Sequence, residues 1–169
     1  MKHLTLIAIL TLTAVFSFAG PVRDFTLPDI DDQNVSLSDY MGDYIIILDF
    51  WASWCAPCMR LMPELEKIHS DYEDIKVIGI SIDNPRSINR AKTLVRSQKY
   101  TMVSLFDPEQ EIMDRFQVTS VPHTFIIGYD GEIIYEHTGY NRGDEEEFLE
   151  VINQYKASQE AGQAQEDNE

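Results

Sequence analysis

The sequence predicts an α/β domain with a central mixed β-sheet flanked by helices, and three observations carry that expectation. Tyr44 to Trp51 and Ile75 to Ile82 are nearly unbroken apolar runs, the pattern of strands covered on both faces. Each is followed by a stretch of helical period, first Leu61, Met62, Leu65 and Ile68, then Ile88, Ala91, Leu94 and Val95. Two further strands, Thr124 to Ile127 and Ile133 to Tyr135, flank the turn-forming pair Asp130-Gly131, so the sheet closes on an antiparallel hairpin.

The elements follow in chain order. Leu4 to Phe18 is an apolar run broken by Thr5, Thr11, Thr13 and Ser17. Lys2 precedes it, and the small residues of Ser17-Phe18-Ala19 end it. That is the pattern of a secretory signal over residues 1–19, too short to prefer spanning a membrane, although an uncleaved anchor is the alternative. No cysteine lies near the cleavage site for lipid attachment. Thr26-Leu27 and Val35 to Leu37 read as short strands joined by the turn-prone Asp31-Asp32-Gln33-Asn34. The first long helix is expected from Pro57 to about Tyr72, with a kink at Pro63. A short strand at Met102 to Phe106 and a helix opened by Pro108 come before the hairpin.

A last helix begins near Asp144, where four consecutive acidic residues suit the positive end of the helix dipole. Its stripe is Phe148, Leu149, Ile152 and Tyr155. From Ala157 the composition turns to Gln, Glu, Ala, Ser and Asn, which predicts a disordered acidic tail over 157–169 and places the folded domain at 20–156.

At 169 residues there is room for one ordinary domain, and 44% hydrophobic residues supply its core. Thirteen basic residues against 29 acidic ones give a net charge of −16, which excludes an extended grip on nucleic acid and docking on anionic lipid. Two cysteines are too few for a disulfide-stapled scaffold or an all-cysteine zinc site. His69, His123 and His137 show no ligand spacing, and copper delivery of the Sco kind spaces its cysteines differently, so neither metal nor cofactor is expected.

The chemistry lies in Trp51-Ala52-Ser53-Trp54-Cys55-Ala56-Pro57-Cys58, between the first long strand and the first long helix. Cys55 is expected at the helix N-terminus, open to solvent, where free N–H groups and the dipole stabilise a thiolate. Cys58 follows one turn on, and Pro57 fixes the backbone between them. Such a pair performs thiol–disulfide exchange: Cys55 attacks, a mixed disulfide forms, and Cys58 resolves it. As a static crosslink, so short a loop gains little.

Trp-Cys-x-x-Cys after Ile47-Leu48-Asp49-Phe50-Trp51 resembles the thioredoxin superfamily. The apparent leader, the lead-in Asp24-Phe25-Thr26-Leu27-Pro28 and the extra helix–strand segment Asp83 to Asp107 make the chain similar to TlpA/ResA-type periplasmic thioredoxin-like proteins. The resemblance covers about Val22 to Tyr155. It implies a thioredoxin fold with an N-terminal β-hairpin and an insertion before a cis-proline loop at Val121-Pro122. It implies catalytic roles for Cys55, Cys58, Asp49 and Pro122, and substrate contacts from Trp54, Ala56, Pro57, Val121 and His123. Gly139 matches the glycine after the hairpin, and Pro63 the kinking proline of the helix.

Where that subgroup often has Asn, this chain has Asp49, whose buried carboxyl should have a raised pKa and take the proton from Cys58. The lysine that accompanies such an aspartate in thioredoxins is replaced by Gly79. Leu61 stands where the family commonly has Glu, which weakens a specific link to cytochrome c maturation. His123 replaces the usual Thr, and its imidazole is expected near Cys55, where its charge would favour the thiolate.

The expected protein is an exported monomer that reduces disulfides of selected periplasmic proteins and is re-reduced by a membrane electron donor. A binding module, a metal chaperone or a disulfide oxidase of the same fold are the alternatives. Pro57 argues against the oxidase, because that position in oxidases and isomerases carries a thiolate-stabilising His. A peroxidase would place its cysteine in a Thr-x-x-Cys setting.

Overall fold

The computed structural model describes residues 20–166, so the leader expected at 1–19 lies outside the described residues. The elements are β1 (Thr26–Pro28), β2 (Asn34–Ser36), β3 (Ile45–Trp51), α1 (Cys58–Asp71), β4 (Ile75–Ser81), α2 (Ile88–Gln98), β5 (Val103–Phe106), α3 (Glu111–Arg115), β6 (His123–Ile127), β7 (Ile133–Thr138) and α4 (Asp144–Glu166). The main sheet has the order β5-β4-β3-β6-β7. β3 pairs parallel with β4 and antiparallel with β6, β5 adds parallel to β4, and β7 adds antiparallel to β6. This is the thioredoxin-like α/β arrangement, with β1 and β2 as a separate N-terminal hairpin held to β5 by a bridge between Asp29 and Leu105.

All seven residues of β3 are buried, which is why its sequence shows no alternation. Strand geometry sends successive side chains to opposite faces. Phe50 turns to the face where Phe116 and Phe125 lie, with ring centroids 5.4 and 6.1 Å away, and Phe25 of the N-terminal segment closes that cluster at 6.0 Å from Phe116. Asp49 turns to the other face. α1 runs through Pro63 as one continuous helix, its buried stripe formed by Cys58, Leu61, Met62, Leu65 and Ile68.

Two local expectations are corrected. The helix expected at Pro108 starts at Glu111, because the buried Asp107 side chain accepts the N–H groups of Glu111, Ile112 and Met113 at 2.9–3.0 Å and sets the first turn there. The tail expected to be disordered from Ala157 continues α4 as far as Glu166. Residues 157–162 are exposed, as their composition requires. Ala157, Gln159, Glu160 and Ala161 among them are good helix formers, and the stretch extends a docked helix, so it bears no nucleation cost.

Gly128 marks the seat of α4. Its N–H donates to Glu132 O at 2.9 Å within the hairpin, and the Tyr155 hydroxyl accepts the neighbouring Tyr129 N–H at 3.0 Å. A Cβ at position 128 would come 2.5 Å from Tyr155 Oη. Gly128→Ala is therefore expected to cost about 1–3 kcal/mol in denaturant unfolding, as overpacking does, and much less in a Tyr155→Ala background.

Candidate active site

The site grows out of the carboxyl end of β3. A turn follows Trp51, closed by Cys55 N–H on Ala52 O at 3.0 Å, and α1 then begins at Cys58. Cys55 thus lies three residues ahead of the helix rather than within its first turn. It is still joined to the helix head: Cys58 N–H points at Cys55 Sγ at 3.2 Å, and Met59 N–H donates to Cys55 O at 3.2 Å. The Met59 N–H is thereby committed to a carbonyl, and the Cys58 N–H is the one that faces the sulfur, where it can stabilise negative charge.

Cys55 and Cys58 form a disulfide with Cα atoms 5.3 Å apart. Cys58 is sealed, and Cys55 keeps 4% of its surface open, much less than the sequence led us to expect. Its sulfur lies 3.5 Å from Val121 O, beside the Val121–Pro122 peptide bond, which is cis. Trp54 stands 61% exposed next to it, Ala56 is exposed, and Pro57 and Val121 are half-buried. Of the nine residues expected at the exchange site, Trp54, Ala56, Pro57 and Val121 are the more exposed ones near Cys55, whereas Cys58 and Pro122 are buried.

Asp49, near the carboxyl end of β3, is 1% exposed. Thr124 Oγ1 donates to Asp49 Oδ1 at 2.8 Å across the antiparallel pair, and among the described residues Oδ2 has no hydrogen-bond partner. Burial pushes its pKa up to about 8, against the smaller opposing effect of the Thr124 hydrogen bond. Gly79 is its register partner on β4, and a Cβ there would come 3.2 Å from Trp51 Nε1. The indole of Trp51 thus takes the space of a side chain at 79, and no cation approaches the carboxyl from that strand.

His123 is not where the sequence reading put it. Strand alternation turns its side chain to the Phe50 face, away from Thr124 and Asp49. The imidazole stacks on Phe125 with centroids 4.6 Å apart; Nε2 pairs with Glu136 Oε1 at 2.8 Å, and Nδ1 lies 3.4 Å from Thr138 Oγ1. Both nitrogens face β7 rather than Cys55, so the ring braces the strand that follows the cis-proline. Leu61 is fully buried on α1, so this position presents no polar group to the site.

Sequence reasoning missed Ser53 and Asp83. Both donors of Ser53 end on the buried Asp83 carboxylate, N–H on Oδ2 and Oγ on Oδ1, each at 2.7 Å. Asp83 reads in the sequence as the start of the turn Asp83-Asn84-Pro85, and only the parallel register of β3 and β4 brings it to Ser53. Among the described residues, no cluster of three His, Cys, Asp or Glu side chains could hold a metal ion.

Residues 19–136 match the AhpC/TSA family. Thiol-disulfide oxidoreductase ResA of Bacillus thuringiensis subsp. konkukian (strain 97-27) is 28% identical over 130 residues, covering 76% of this chain and 75% of that protein. Thiol:disulfide interchange protein DsbE of Allochromatium vinosum (strain ATCC 17899) is 32% identical over 120 residues, 70% of this chain and 65% of its own. Among solved structures, a putative thiol:disulfide interchange protein DsbE from Chlorobium tepidum superposes with a TM-score of 0.73 at 27% identity, over 79% of this chain and 93% of that one.

The raised pKa of Asp49 has a consequence for stability. An unfolded Asp ionises near about 3.9. Between that pH and about 8 the folded state therefore holds the extra proton, and stability falls as pH rises through this window. Asp49→Asn cannot ionise, so the stability of the variant minus that of the wild type should grow from about pH 4 to about pH 8 and then level off, in denaturant titrations of the oxidised protein. A difference that stays constant with pH would mean that Asp49 ionises in the fold as it does in the unfolded chain.

Proposed function

The chain belongs to the AhpC/TSA family and is a thiol–disulfide oxidoreductase, and from that premise we propose that it is an exported reductant of selected extracytoplasmic protein disulfides. The observation that carries this reading is the Cys55–Cys58 disulfide, with Cys55 the less buried of the two residues and its Sγ 3.5 Å from Val121 O. In the reduced protein, the Cys55 thiolate attacks one sulfur of a substrate disulfide. The S–S bond breaks and one substrate thiolate leaves. Asp49 takes the proton of the Cys58 thiol, and the resulting thiolate attacks Cys55 Sγ, releasing the second substrate thiolate. Two electrons pass to the substrate, the Cys55–Cys58 disulfide is left behind, and an electron donor on the membrane restores the dithiol. Val121, Trp54, Ala56 and Pro57 receive the substrate chain around the sulfur.

The direction rests on local chemistry. A group between the cysteines that stabilises the thiolate favours the reduced form and makes a strong oxidant. Ala56-Pro57 offers neither a cation nor a side-chain donor, and the imidazole of His123 is held by Glu136 and Thr138. Export rests on the apolar leader in the sequence; among the described residues no helix is long and apolar enough to cross a membrane.

Equilibration with glutathione is expected to give a potential nearer to about −270 mV than to about −120 mV, and a value above about −150 mV would reverse the direction to oxidase. Cys58→Ser should accumulate mixed disulfides on Cys55 that dissolve with dithiothreitol. Asp49→Asn should slow turnover about 100-fold, the loss occurring in resolution rather than in the first attack. Stoichiometric copper or zinc binding without insulin reduction would instead mark a metal-binding module.

A further inference from the structure

The turn that delivers the nucleophile has two corner residues, Ser53 and Trp54, between Ala52 O and Cys55 N–H. They are treated in opposite ways. Trp54 is left in solvent, and Ser53 is buried with both of its donors on one carboxylate thirty positions further along the chain. That carboxylate is itself fully buried, and Ser81 Oγ adds a third hydrogen bond to Asp83 Oδ2 at 3.1 Å. The backbone around it is fixed as well: Ile82 N–H donates to Trp51 O at 2.9 Å, and Gln110 Nε2 donates to Ile82 O at 2.9 Å. Asp83 is thus held from β3, from β4 and from the entry to α3, and it in turn holds the turn that carries the nucleophile.

A buried carboxylate is expensive unless it is saturated with donors, and here every donor comes from the active-site turn or from the strand end beneath it. Its chemistry contrasts with that of Asp49, which keeps an unpartnered oxygen and can accept a proton. Both oxygens of Asp83 are engaged, so its work is geometric. Charge-assisted hydrogen bonds to a backbone N–H and a hydroxyl are short and roughly twice as strong as neutral ones, enough to fix a corner of four residues.

We propose that Asp83 is a positioning residue for the exchange reaction: through Ser53 it locks the Ala52–Cys55 turn so that Cys55 Sγ stays on the Cys58 N–H and beside Val121 O, the geometry that stabilises the attacking thiolate. This deepens the reading given under Proposed function and rests on it. Without the clamp the turn samples other corners, the 3.2 Å approach of the Cys58 N–H is lost part of the time, and the thiolate loses its partner at the helix head.

The test uses the full chain with Cys58→Ser, so that a single thiol titrates, and follows the thiolate by its absorbance at 240 nm. Adding Ser53→Ala or Asp83→Asn is expected to raise the pKa of Cys55 by about one unit and to slow its alkylation by iodoacetamide near neutral pH about tenfold. With Cys58 restored, the disulfide should become more reducing by about 30 mV, which is that factor of ten for a two-electron couple. Gly128→Ala, remote from the site, should lower stability and leave the pKa where it was.

If Asp83→Asn does not fold, Ser53→Ala decides alone. If the variants lose stability but keep the wild-type pKa and potential, Asp83 is only a structural pin and the proposal fails. Failure of the functional reading would look different, because a wild type that reduces neither insulin nor glutathione disulfide can still be titrated at Cys55.

Discussion

The site depends on the hydrogen bonding of β3 along both of its edges. β4 runs parallel on one side and β6 antiparallel on the other, so the carboxyl end of β3 meets the carboxyl end of β4 and the amino end of β6. That single arrangement delivers three segments to one place: the cysteine turn from β3, Ser81 to Asp83 from β4, and Val121-Pro122 leading into β6. None of them is near another in sequence. A strand buried on both faces cannot slip by one residue without sending Asp49 and Phe50 to the wrong sides, so the register is strongly held.

The two buried carboxylates of this region illustrate how environment divides labour. Asp49 has one hydrogen bond, no cation and an idle oxygen, and burial raises its pKa to about 8, a value suited to accepting and returning a proton near neutral pH. Asp83 has three donors and no idle oxygen. Leaving Asp49 under-satisfied costs stability, and the rest of the core must offset it. The surrounding apolar packing, with Ile47, Leu48, Phe50 and Trp51 all buried around it, is the source of that offset.

Much of this was legible in the sequence, and the missing parts have a common cause. The nearly unbroken apolar runs at 44–51 and 75–82 announced two doubly covered strands, and Trp54-Cys55-Ala56-Pro57-Cys58 announced exchange chemistry, because periodicity and spacing are local properties. The facing of His123 was not local. It followed from the pairing of His123 with Thr138 and of Phe125 with Glu136 on β7, which puts a carboxylate within reach of the ring. The Ser53–Asp83 clamp was hidden for the same reason, since a thirty-residue separation becomes contact only after a parallel crossover. The helical tail was misread differently: its polar composition shows that it cannot build a core, and says little about whether an already docked helix runs on.

The small opening at Cys55 can then be understood as selection rather than obstruction. Attack on a disulfide is an in-line displacement, so a partner sulfur needs only a narrow approach along one axis, while every other direction can be closed. Here the Val121 carbonyl stands 3.5 Å from the sulfur and closes one side. Cys58, fully sealed behind, is out of reach of the same partner and can act only on the sulfur that Cys55 has already captured. In the proposed reaction, the order of the two chemical steps follows from this difference in burial together with the Cys58 N–H that faces Cys55 Sγ.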